Sequence, residues 1–121
     1  MYRYEFDCYE KAVRTEVQYQ DLSIINCYVH LGLERAKEAS RAEDANVIYA
    51  RLMKTLEETM CDHLVSHRWR LHCYRVLKQL MPLMYEIISE DEYLFLNEKL
   101  NTLSQFFLKR VSCDRSSINK Y

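Results

Sequence analysis

The chain reads as an all-α protein, an antiparallel bundle of four main helices with a short N-terminal helix laid across it. Three observations predict this. One Gly and one Pro in 121 residues are too few turn formers for a sheet protein with many hairpins. Apolar residues recur at three- and four-residue steps along nearly the whole chain. Helix-start chemistry stands between the periodic stretches: Asp21, Ser40 with Glu43, Ser66, and Ser89 with Glu92. A chain of this length can bury roughly two-thirds of its unfolded surface, so one domain over residues 1–121 is expected, with 112–121, polar and aperiodic, as a frayed tail.

In chain order, Phe6, Tyr9, Val13 and Val17 step along one face and predict a first helix from Tyr4 to Gln18, with Cys8 on its wet side. Asp21 can accept a bond from the amide two or three residues on and so start the second helix, Leu22 to Ala39. That helix turns Ile25, Tyr28, Val29, Gly32, Ala36 and Ala39 inward. The last three are small, and a mid-helix Gly, which costs about 1 kcal/mol against Ala, is best explained by a closely approaching neighbour. Ser40 to Glu43 has the spacing of a capping box for a third helix whose stripe is Ala45, Ile48, Tyr49, Leu52, Leu56 and Met60, running to about His63.

Ser66 starts the helix around which the rest is organised. Trp69, Cys73, Val76, Leu77, Leu80, Met84 and Ile88 fall within a sector of about 120°, wide enough to touch two neighbours. Pro82 keeps the phase and predicts a kink within one helix. Ser89 to Glu92 is a second capping box, with Glu90, Asp91 and Glu92 at the positive end of a last helix. Its stripe is Tyr93, Leu96, Leu100, Leu103, Phe107 and Val111, and Lys109 with Arg110 complements its C-terminal end.

Chemistry-bearing residues are present but scattered. Cys61, Asp62, His63, His67, His72 and Cys73 are the densest metal-capable set, with His63 and His67 at a four-residue spacing. Extending the third helix turns His63 to its buried side and Cys61 the opposite way, while Cys73 belongs to the core stripe. Leu64 also stands where the zinc-protease pattern needs a Glu, so no metal and no cofactor is expected. The single Gly lies inside a helix, which leaves no phosphate loop and no glycine-bearing oxyanion turn. Cys61 with His63, and Cys73 with His72, point to different helix faces. A non-enzyme is expected.

Two surface features remain. From His63 to Tyr85 the chain carries Arg68, Arg70, Arg75 and Lys78 and no acid, with Trp69 and Tyr74 interleaved. That run could bind an anion, a nucleic-acid backbone or an acidic partner helix, or pair with Glu57, Glu58, Glu86 and Glu90. A net charge of −1 and the lack of a helix-turn-helix pattern put nucleic acid second. The other feature is surplus apolar surface: Phe95 and Phe106 flank the core face of the last helix, and Leu71 and Tyr85 lie off the central helix's core sector. Half-exposed rings of this kind carry protein interfaces. A homodimer through the last helix, or a client helix in the groove beside the central one, would cover them.

No apolar run approaches about 18 residues, and the N-terminus MYRYEFDCYE is polar where a signal peptide is apolar. Five Cys without pair-like spacing fit a reducing compartment. The expectation is therefore a cytoplasmic, non-catalytic helical module that binds another protein as a chaperone, adaptor or regulator. A small nucleic-acid-associated regulator using Arg68 to Lys78 is the alternative. In layout, a short helix with Tyr9 and Val13, a break near Thr15, then amphipathic helices with Tyr28 and the run Ala36, Lys37, Glu38, Ala39, the chain resembles the flagellar export chaperones, which hold flagellin subunits before secretion. The Gly and Pro usual in that family's first loop and second helix are missing, so no membership follows.

Overall fold

The computed structural model describes residues 2–16 and 21–108. Among them the chain forms five α-helices and no strand: α1 (Tyr2–Thr15), α2 (Ser23–Glu38), α3 (Ala42–Met60), α4 (His67–Tyr85) and α5 (Glu90–Phe107). Val17, Gln18, Lys109, Arg110, Val111 and the tail 112–121 lie outside the described residues. No helix among those described is long and apolar enough to cross a membrane.

Successive helices run antiparallel, which makes α1, α3 and α5 parallel to one another. Asp7 and Glu10 of α1 reach Arg51 of α3, Glu10 also reaches Thr55, and Arg14 reaches Glu58 and Asp62, in ascending order on both helices. These contacts make α1 a full wall of the core. Phe6 and Val13 are fully buried, and the Phe6 ring stacks on Tyr28 at 5.0 Å while the Arg51 and Arg35 guanidinium carbons sit 4.9 and 5.5 Å from its centroid. The Tyr28 hydroxyl donates to Glu10 Oε2 at 2.6 Å, and burial raises its pKa above the ordinary phenol value.

At the end of α1, Glu16 takes a left-handed conformation (φ 55°), and its carboxylate accepts from the Ser66 amide (2.8 Å) and hydroxyl. The helix therefore stops at Thr15, short of the expected Gln18. Trp69 Nε1 donates to the Val13 carbonyl at 2.8 Å, so the end of α1 is tied to the start of α4.

Within α2 the buried residues are Ile25, Tyr28, Val29, Gly32 and Ala36, and Asp21 accepts from the Ser23 amide at 3.1 Å. A Cβ on Gly32 would meet Leu52 Cδ2 at 2.7 Å, so its packing role is real. The capping box expected at Ser40 does not form. α3 begins one residue later than that box requires, with Arg41 at the N-cap and its guanidinium on Asp44, so Glu43 is out of register. α3 also ends earlier than expected. Asp62 accepts from the Leu64 amide (2.9 Å) and from Arg14 Nη1 (2.6 Å), turning the chain after Met60, and His63 is exposed instead of buried.

Ser66 Oγ accepts from the Trp69 amide and opens α4, whose buried face is Trp69, Arg70, Cys73, Val76, Leu77, Leu80, Met81 and Met84. Pro82 sits on its exposed side without ending it. Ile88, expected at the end of this helix, lies in the following turn, its amide on the Met84 carbonyl. Ser89 and Glu92 form the predicted cap: the Ser89 hydroxyl accepts from the Glu92 amide at 3.2 Å and donates to its carboxylate at 3.1 Å. α5 lies outermost, against α4 and α3, and Leu100 is its one buried residue.

Arg70 joins three helices at one end of the bundle. It is only 4% exposed; Nε donates to the Met60 carbonyl at 3.0 Å and Nη2 to the Phe107 carbonyl at 2.6 Å. Those are the last residues of α3 and α5.

In urea denaturation, Leu80→Ala should cost about 2–5 kcal/mol through the cavity it leaves, and Arg75→Ala under about 1 kcal/mol as an exposed charge. Equal, small losses would mean that α4 is turned differently. Arg70→Met, which keeps bulk but removes the donor fork, should cost about 2–4 kcal/mol because two carbonyls lose charge-assisted bonds.

Candidate protein-binding surface on the fourth and fifth helices

The metal-capable side chains are dispersed by the fold. Asp62 is engaged by Arg14, which with the Leu64 amide holds its carboxyl below the usual range. His63 packs on Phe107 at 5.2 Å between ring centroids, His72 shares a hydrogen bond with Asn26 Oδ1 (3.0 Å), and Cys73 is buried. Among the described residues no three of His, Cys, Asp and Glu come together as a group able to hold a metal.

The basic run divides in two ways. Arg70 is a correction: it was expected in an exposed anion-binding segment, but its position in the helical phase, three before Cys73 and seven before Leu77, turns it into the core. Lys78 bridges to α5, donating to Asn97 (3.1 Å) and Asn101 (3.4 Å). Arg68 and Arg75 are exposed, and neither has an ion pair or hydrogen bond among the described residues. His72 registers their charge: burial first, then Arg75 and Arg68, hold its pKa below the ordinary imidazole value.

The four apolar candidates fall on two separate surfaces. Phe95 and Phe106 are 70% and 65% exposed on one flank of α5, about 16 Å apart along its axis. Leu103, half-buried, lies between that flank and the core, and Lys99 ties the flank to α3 through Glu57 at 2.8 Å. Leu71 and Tyr85 lie instead along the seam between α4 and α5. Leu71 is half-buried there with Tyr74, and Tyr85, exposed, meets Tyr93 edge-on at 4.9 Å. The four do not form one patch.

Compared with protein-family models, curated proteins and solved structures, the chain matches none. What the surface can do must be read from its own geometry.

Leu94 and Leu64, both exposed, were not singled out from the sequence. Leu94 borders the seam one residue before Phe95, and its helical phase, off the stripe of Leu96 and Leu100, was signal enough to find it. Leu64 is 95% exposed at the α3–α4 turn, a position set by Asp62 and not readable as a pattern. Of the six large apolar side chains left exposed among the described residues, five (Leu64, Tyr85, Leu94, Phe95 and Phe106) lie on α5, at the end of α4, or in the turn preceding α4. The sixth, Val47, is 66% exposed on α3, beside the end of α2.

The thiols differ in exposure. Cys8 and Cys27 are exposed, while burial, with a smaller effect from Glu16, pushes the Cys73 thiol up to about 12. A thiol-reactive probe at mildly alkaline pH should therefore label Cys8 and Cys27 in the folded protein and reach Cys73 only on unfolding, as read by peptide mass mapping.

Proposed function

We propose that this chain is a non-catalytic protein-binding module of the cytoplasm that offers the outer flank of α5 to a partner protein, as a chaperone, adaptor or regulator does. The observation that carries the reading is the exposure of Phe95 and Phe106 on one flank of one helix. Covering such rings contributes on the order of 2 kcal/mol each, and the polar and charged residues beside them, Glu98, Lys99 and Thr102, supply the rim that a specific interface needs. The odd cysteine count supports a reducing compartment.

The nucleic-acid reading stands second. Of its four basic residues, only Arg68 and Arg75 remain both exposed and uncommitted, and two phosphate contacts are a weak basis for backbone binding.

With no partner present, the α5 flank is expected to pair with its own two-fold copy. Sedimentation should then show a dimer for the native chain and a folded monomer for Phe95→Asp with Phe106→Asp, with helicity unchanged by circular dichroism. Unfolding of the double variant would assign the rings to the core. A native monomer at high micromolar concentration would leave the flank to a different protein, to be identified by capture on the native chain and lost with the double variant.

A further inference from the structure

We infer that the seam between α4 and α5 is a docking groove for an acidic amphipathic helix of a partner protein, with an apolar residue seated on Leu71 and carboxylates on Arg68 and Arg75. The site lies on the other side of α5 from Phe95 and Phe106, so it stands or falls separately from the reading above.

The groove has a volume of about 480 Å³ and an apolar floor of Leu71, Tyr74 and Leu108. Its far wall is α5, where short or neutral side chains, Asn101, Ser104 and Gln105, keep it open and offer hydrogen bonds. Leu71 has Arg68 three residues before it and Arg75 four residues after it, hence one turn away on either side along the same edge of the helix. The two guanidinium groups are thus carried about 10 Å apart along the axis, on the edge of α4 away from α5, where they border the groove without lining it.

Charge complementarity names the occupant. Arg14, Arg41, Arg51 and Lys99 each meet a carboxylate from this chain, whereas Lys11, Arg35 and Lys54 meet none among the described residues and are scattered over other helices. Arg68 and Arg75 have none among the described residues, and α4 carries no acid to supply one. A planar guanidinium binds a carboxylate through two parallel bonds, so an uncompensated pair is a receptor for two acids. In a helix, acids one turn before and one turn after a central apolar residue have the same spacing as Arg68, Leu71 and Arg75. A third helix laid along the seam of two others is a recurrent recognition mode read through such positions. A nucleic-acid backbone fits less well, since it would meet only two free cations and gain nothing from Leu71, Tyr74 and Leu108.

The test uses the full chain and a labelled synthetic helical peptide with a central Leu and Glu one turn to either side. Fluorescence anisotropy near physiological salt should give a Kd of about 10–100 μM. Arg68→Glu with Arg75→Glu, both at exposed positions and so without effect on helicity, should weaken it at least about tenfold. The peptide with Lys in place of Glu should bind that variant and not the native protein. Replacing the central Leu by Ser should also weaken binding, and amide shifts in NMR should centre on Leu71, Asn101 and Gln105. No binding by about 1 mM, binding indifferent to charge reversal, or shifts centred on Phe95 and Phe106 would overturn the proposal. So would displacement of the peptide by duplex DNA with a steep salt dependence, which would assign the two arginines to phosphate.

Discussion

The arrangement of this bundle depends on one buried cation. A helix leaves its last carbonyls without intrahelical donors, and they carry the negative end of the helix dipole. Because α3 and α5 run parallel, two such ends come to the same end of the molecule, and Arg70 at the start of α4 donates to both, at Met60 and Phe107. A buried guanidinium normally needs an acid, but here its hydrogen bonds go to two partial negative charges, with the Asp62 carboxylate near enough to feel its charge. The contact settles where α5 ends relative to α3. It also explains why a residue that looks like surface charge is among the least exposed in the chain.

Arg70 matters the more because α5 has few other anchors. Leu100 is the buried residue within it, Lys78 holds Asn97 and Asn101, and Lys99 reaches Glu57. A helix held along one edge of its surface leaves both of its flanks open. On one side the flank carries Phe95 and Phe106; on the other it forms the wall of the Leu71 seam. The two candidate surfaces are therefore consequences of a single packing fact: α5 is added to the outside of a core that α1 to α4 already close.

At the other wall of that core, α1 is held by chemistry as much as by burial. The Glu10 carboxylate collects Tyr28, Arg51 and Thr55, the Glu16 carboxylate caps Ser66, and the Val13 carbonyl takes the Trp69 indole. Each links a short first helix to elements far along the chain, which gives it a single register. In contrast to the exposed arginines on the outer edge of α4, that side of the molecule pairs most of its charges internally, although Arg35 Nη1, beside the Phe6 ring, is buried without a hydrogen-bond partner among the described residues.

Local patterns in the sequence determined the fold class, the order of helices, the α4 core face, the close approach at Gly32, and the caps at Ser66 and Ser89. All of these are set by spacing within a turn or two and by backbone chemistry that needs no distant partner. The exposure of Phe95, Phe106 and Tyr85 was also legible, because helical phase alone places them off the stripes, whereas Leu71, read the same way, is half-buried against the core. Only the tertiary structure decided the rest. Ser40 and Glu43 have the right spacing for a capping box, but the helix starts at Arg41; His63 continues the α3 phase, but Asp62 has already turned the chain. Arg70 shares the phase of the core, yet whether a cation can be buried there depends on two carbonyls lying 10 and 37 residues away. The pairing of Glu10 with Arg51 across 41 residues, and the division of the apolar surplus between two flanks of α5, have the same origin. Periodicity along a chain says which way a side chain faces, but what it faces is settled only when helices far apart in sequence are packed together.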